Sequence, residues 1–229
     1  MNPKKAQKKL LEYVKKNYLS LKIGPHHLSI PYWCNKYKNK VLVSEGPFGG
    51  KGSPQQIADL VHQIAAKEKI SLKKIKREEL LLLMKRYHLG LDCSGLAYQL
   101  LDYYYRLLGK EGIYYQLLGH TGRRGIYSIN ANALTSSPNS ISIPLTQTQT
   151  GDLLRTNDGR HVIFVLSRQK DQINYVHSSY KTQTKGVHLG TINLKDPQKP
   201  IFTEKTKDNQ PYERLFSLKT MAFRPRFLK

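Results

Sequence analysis

Three side chains in this sequence have the type and the setting for nucleophilic chemistry: Cys93, His161 and His177. Cys93 opens a segment with apolar residues at helical spacing, Leu96, Leu100, Tyr104, Leu107 and Leu108, closed by Gly109. Asp92 occupies the N-cap position, which places the thiol in the first turn. There the unpaired backbone N–H groups and the positive end of the helix favour the thiolate, so a pKa below the ordinary ~8.5 is expected. Ser94 and Gly95 keep that turn small, so a substrate carbonyl could approach the backbone and use an N–H as oxyanion donor. A buried, inert cysteine is the alternative reading.

His161 opens the apolar run HVIFVLS, and His177 follows sixteen residues on within INYVHS. If Ser167 and Asp171 pair across a turn at 168–170, the two histidines fall directly opposite each other on one face. One imidazole would then act as base while the other fixes its tautomer, the task of the third group in a triad. A satisfied core histidine is the alternative for each. His26, His27, His62, His88 and His188 have no comparable placement, whereas His120, in Gly119-His120-Thr121-Gly122, could line a cleft.

The elements that must position these groups can be read in outline. Residues 4–19 form an amphipathic helix, and 20–52 are broken by Gly24-Pro25, Pro31, Gly46-Pro47 and Gly49-Gly50. Ser53-Pro54-Gln55-Gln56 is a capping-box start for a second helix, a third covers 75–87, and the Cys93 helix runs to 108. Residues 128–150 are rich in Ser, Thr, Asn and Gln and read as a long loop with one short extended piece. Strands are expected at 153–156, 161–167, 173–178, 187–194 and 221–227, with a hairpin turn at Asn157-Asp158-Gly159. Helices first and strands afterwards predict an α+β fold, with an antiparallel sheet packed against helices.

Four ordered motifs carry a resemblance: Asp92-Cys93-Ser94-Gly95-Leu96, Gly151-Asp152-Leu153-Leu154, Gly159-Arg160-His161-Val162-Ile163 and Tyr175-Val176-His177-Ser178-Ser179. Together they resemble the NlpC-type cysteine peptidases, which have a papain-like fold and cut amide links in peptidoglycan stem peptides. The resemblance implies Cys93 as nucleophile, His161 as general base and His177 as the orienting residue, with no metal or cofactor. It divides the chain into an N-terminal helix and lead-in (1–36), a helical insertion (37–89) and a catalytic core (90–229). That family has a tyrosine shortly before the cysteine, helping to line the oxyanion site; Tyr32, in Pro31-Tyr32-Trp33-Cys34-Asn35, is the nearest match, across the insertion. Asp92, Ser94 and Arg123 are the further candidates for the oxyanion or substrate site, Arg123 as a partner for a substrate carboxylate. Two departures stand out: the length of the insertion, and HVIFVL where the family commonly has a glycine after His-Val.

The charge points outward from the site. Lys and Arg number 38 against 16 Asp and Glu, a formal +22. Such a field favours polyanions, whether an anionic wall polymer or nucleic acid, although the basic residues are spread along the chain and match no nucleic-acid motif. A well-solvated lysine-rich surface is the alternative. The glycine-rich Gly49-Gly50-Lys51-Gly52 lacks P-loop spacing and reads as a turn into the helix at Ser53. No apolar run approaches a membrane span, and no signal peptide is visible, so the expectation is a cytoplasmic protein or one exported by a non-standard route. Three functions therefore stand at this point: a stem-peptide hydrolase, an acyltransferase or amidase on another substrate, and a non-catalytic polyanion binder.

Overall fold

The computed structural model describes residues 1–228 other than 40, 119–124, 157–159, 197, 207, 209 and 215–220. Helix α1, Pro3–Val14, buries Ala6, Leu10 and Val14 along one stripe, and Asn2 caps it by accepting the Lys4 N–H at 2.9 Å. Residues 20–52 are more regular than their breakers suggest. They contain two small hairpins, β1 (Leu21–Ile23) with β2 (His26–Leu28), and β3 (Lys36–Lys38) with β4 (Val41–Ser44).

Helix α2, Pro54–Lys67, begins as expected, with Ser53 and Gln56 closing a capping box. Helix α3, Arg77–Arg86, has Glu78 and Glu79 in its first turn and Lys85 and Arg86 in its last, which suits the helix dipole. Helix α4, Cys93–Leu107, is capped by Asp92, whose side chain accepts the Gly95 N–H at 2.6 Å. The expected helical insertion at 37–89 thus starts as a β-hairpin. Its helices bury Ile57, Val61, Leu80 and Met84 in the same core as α1 and α4.

Between α4 and the strands, the polar segment 128–150 holds helix α5 (Ala131–Thr135) and strand β5 (Ser140–Ile143). The remaining strands are β6 (Leu153–Thr156), β7 (His161–Gln169), β8 (Gln172–Ser179), β9 (Gly186–Asn193), β10 (Ile201–Lys205), β11 (Pro211–Arg214) and β12 (Met221–Pro225). They join β5 in one eight-stranded antiparallel sheet, in the order β11-β10-β9-β8-β7-β6-β12-β5. The molecule is therefore mixed helix and antiparallel sheet, as the order of elements predicts. The turn expected at 157–159 lies outside the described residues.

The sheet is buried on both sides, which explains the unbroken apolar run in β7. Phe164, Leu166, Val176 and Val187 belong to the large core shared with the helices. Ile163, Val165, Ile173, Tyr175 and Phe202 form a smaller core on the opposite face. Asp152, from the Gly-Asp-Leu-Leu motif, is a structural anchor: its carboxylate takes Arg224 of β12 in a two-pronged ion pair at 2.8 and 3.0 Å. Among the described residues no helix is long and apolar enough to cross a membrane.

Candidate active site

Two strands part to admit the cysteine. The β7–β8 ladder runs from Phe164↔Val176 to the two-residue turn Lys170-Asp171. Ahead of that ladder, the Val162 N–H is directed to the Cys93 sulfur. On the β8 side, the Ser178 hydroxyl donates to the Leu91 carbonyl at 2.7 Å. The start of α4 is thus fastened to the ends of both strands, and the thiol lies against the residue that follows His161.

The expected register is corrected by two residues. The turn falls at Lys170-Asp171 rather than at 168–170, which offsets the pairing by three residues, and a bulge between Val165 and Ser167 takes one of them back. His161 and His177 are consequently diagonal neighbours rather than directly opposed. They still share a face, and His161 Nε2 lies 2.7 Å from His177 Nδ1. A diagonal imidazole pair makes this bond because the rings are long enough to span the offset.

The network continues into residues that the sequence does not single out. His177 is directly paired with His188 on β9, and their Nε2 atoms are 2.7 Å apart. Glu204, on β10, sits beneath both: Oε1 is 3.0 Å from His177 Nε2, and Oε2 is 3.4 Å from His188 Nε2. Tyr175 and Tyr212 hydroxyls donate to the same carboxylate, Tyr175 at 2.9 Å. Burial alone would raise the Glu204 carboxyl, but the hydrogen bonds it accepts, from His177 first and from Tyr212, overcome it and hold the group well below the usual carboxylate range. His177, His188 and Glu204 are all buried. Among the described residues they are the group whose donor atoms converge closely enough to hold a metal ion, within 4.8 Å of one another. In this structure those atoms are engaged with each other.

Tyr175 reaches Glu204 only because β9 carries a glycine between them. Gly190 pairs with Tyr175 on one side and Glu204 on the other. A Cβ at Gly190 would lie 2.3 Å from the Tyr175 ring. The bare backbone lets the ring lie across the strand, and that is the one signal in the β9 sequence pointing to this cluster.

A second polar cluster lies at the start of α4. Lys51 is buried; its Nζ is paired with Asp92 Oδ2 and lies 2.9 Å from the Ser94 hydroxyl. Ser94 also donates to Asp92 Oδ1 at 3.0 Å. Asp92 and Ser94, both expected at the oxyanion or substrate site, are thus engaged with the protein's own groups. A Cβ at Gly95 would come 2.0 Å from the Gly50 carbonyl, so the space this glycine leaves admits the close approach of the 49–52 loop. That loop also accepts the Asp92 N–H, at the Gly50 carbonyl, at 3.0 Å. The turn entering α2 is thus a clamp on the start of the Cys93 helix.

Cys93 is partly buried and packs against the main core. Burial and then the Asp92 carboxylate push its thiol up to about 12, while the Val162 and Ser94 amides and Lys51 pull the other way. The expectation of a lowered pKa is reversed, because burial disfavours the thiolate and, second to it, the helix end that should favour the thiolate carries the carboxylate that caps it.

Tyr32 is brought in from across the long segment. Leu91 donates to the Pro31 carbonyl at 3.0 Å and Trp33 to the Leu91 carbonyl at 3.2 Å, forming a parallel bridge between Tyr32 and Leu91. Burial raises the Tyr32 hydroxyl, as do its hydrogen bond to Cys34 and the nearby charges of Cys34, Cys93 and Asp92. Its ring leans on Tyr180, with centroids 5.2 Å apart. Chain separation is no obstacle here, since the intervening residues leave and return at adjacent points. Arg123 and His120 lie outside the described residues. An open cleft of about 610 Å³, lined by Gly49, Arg86, His88 and Tyr127 among others, borders the 49–52 clamp.

No protein-family model matches the chain, and neither a curated protein nor a solved structure is detectably similar to it.

Proposed function

We propose that the protein is a cysteine-dependent amide hydrolase on a papain-like core, acting on peptide links of the peptidoglycan stem class. The observation that carries this reading is the His161–His177 pair at 2.7 Å, held on the strand whose next amide faces the Cys93 sulfur. The ordered motifs that resemble the NlpC-type peptidases supply the substrate class.

The chemistry starts from a protonated thiol. His161 takes the Cys93 proton as the sulfur attacks the amide carbonyl, so the two steps are coupled rather than preceded by a stable thiolate. His161 then gives that proton to the leaving amine, which departs and leaves a thioester on Cys93. Water, deprotonated by His161, attacks the thioester, releases the carboxylic acid and returns the thiol. His177 holds the His161 ring in place throughout. Tyr32 is the side chain best placed beside Cys93 to help bind the oxyanion.

Two observations favour a non-catalytic polyanion-binding protein instead: the formal +22 and the raised thiol. Acyl transfer to an amine rather than to water is the rival within the same chemistry. Mass spectrometry of defined muropeptides incubated with the protein separates all three. Hydrolysis predicts two fragments whose masses sum to substrate plus water, and transfer predicts an amine adduct. Cys93→Ala should lower the rate by about 10⁴-fold or more without unfolding the protein. Unchanged muropeptides with the wild-type protein, or cleavage by Cys93→Ala, refute the reading.

A further inference from the structure

The proposed chemistry needs His161 to present an unprotonated nitrogen to the thiol, and nothing in His161 and His177 alone decides which nitrogen that is. The two residues behind them do decide it. We propose that Glu204, acting through His177, fixes the tautomer and orientation of His161; it is a positioning residue for the thiol chemistry, and the proposal rests on the hydrolase reading above.

The Glu204 carboxylate accepts from two tyrosine hydroxyls and faces two imidazole Nε2 atoms, so it offers lone pairs only. His177 Nε2, 3.0 Å from Oε1, must carry a hydrogen, because a nitrogen lone pair aimed at a buried carboxylate is repulsive. Neutral His177 then has its lone pair on Nδ1, 2.7 Å from His161 Nε2. His161 Nε2 must therefore be the N–H, which leaves Nδ1 of His161 as the basic nitrogen. His188 closes the far end. Its Nδ1 lies 2.9 Å from the Gly186 carbonyl, which can only accept, so Nδ1–H is fixed and Nε2 is left to receive the second branch of the His177 N–H.

The chain Glu204–His177–His161 thus transmits one choice of proton position across three strands, and Gly190 and Tyr175 hold the carboxylate that makes it. A metal ion on His177, His188 and Glu204 would do the reverse. It would take the Nε2 lone pair of His177, move the hydrogen to Nδ1, and turn His161 Nδ1 into a donor unable to accept the thiol proton.

Nitrogen NMR on protein labelled in histidine reads the tautomers directly. The expected spectrum of the wild-type protein has His177 and His161 both protonated at Nε2 and bare at Nδ1. His177 protonated at Nδ1 in the metal-free wild-type protein overturns the proposal. In Glu204→Gln the anion is gone, so His161 should become a mixture of tautomers. Acylation of Cys93 by an activated aryl ester should fall between about ten- and a thousandfold in the same variant. Unchanged tautomers and an unchanged acylation rate in a folded Glu204→Gln protein also overturn it. A protein that shows the expected tautomers but whose wild-type Cys93 is never acylated refutes the hydrolase reading and leaves the tautomer assignment in force. The wild-type spectrum decides the assignment even if the variant fails to fold.

Discussion

Cys93 lies between two buried polar clusters built on opposite principles. At the helix end, Lys51, Asp92 and Ser94 form a compact ion pair on residues from one loop and one helix turn. On the sheet, His161, His177, His188 and Glu204 form an extended chain over four successive strands, with the acid at its far end. The first cluster fastens the Cys93 helix and, through Asp92, adds to the rise of the thiol that burial begins. The second holds a carboxylate ionised by donating to it and passes the result on as a proton position. Charge placed next to a thiol alters its pKa directly, whereas in the proposed relay charge two residues removed from an imidazole acts on that ring's orientation. That difference shows why a buried ion pair and a buried triad are not interchangeable sources of stability or function.

Breaking the helix-end cluster should have the largest effect on stability. Lys51→Met leaves the Asp92 carboxylate uncompensated in a buried site and should cost about 3–5 kcal/mol in chemical denaturation. A loss below about 1 kcal/mol would mean that water reaches the pair and that the clamp is weaker than its geometry. The raised thiol gives the next test. With a pKa of about 12, the thiolate fraction is small at neutral pH and grows about tenfold per pH unit, so Cys93 alkylation should climb steadily from pH 6 to 9. A plateau from pH 6 upward would reveal a stable thiolate–imidazolium pair and make the two clusters more alike than the structure has them.

The sheet cluster is sharpened by two milder variants. Gly190→Ala drives a methyl into the Tyr175 ring and should destabilise by about 1–3 kcal/mol, with much of the loss recovered when Tyr175→Leu is added. Additive losses in that pair would break the claim that the glycine exists for the tyrosine. Tyr212→Phe removes one donor from Glu204 and should cost about 1 kcal/mol. Glu204 also gives the acid limb of stability a sign. Its pKa is depressed on folding, so its contribution is complete above the unfolded carboxylate value of about 4.3 and is lost as pH falls below it. Tyr212→Phe should therefore move acid unfolding slightly toward neutral pH, and an unshifted midpoint would count against the network.

Legibility in the sequence followed how local each feature is. Helix α2 and the start of α4 were readable from their caps because Ser53, Gln56 and Asp92 bond to backbone within three residues. The strands around His161 and His177 were readable as apolar runs. Their register was not, since one bulge near Leu166 shifts it and bulges depend on how neighbouring strands twist. Glu204 and His188 are not legible for a different reason. Each looks like an ordinary polar residue in its own strand, and only the pairing of β8, β9 and β10 puts them behind His177. Lys51 looked like part of a turn for the same reason.

By itself the sequence determined which residue types were available for chemistry, the helix that carries Cys93 and the α+β order of elements. Those features arise from hydrogen bonds and side-chain periodicity within a few residues of chain. The tertiary structure alone decided the sign of the thiol's pKa shift, the return of Tyr32 to Leu91, and the carboxylate behind the imidazoles. Burial and electrostatics sum over neighbours from distant parts of the chain, and only folding makes them neighbours.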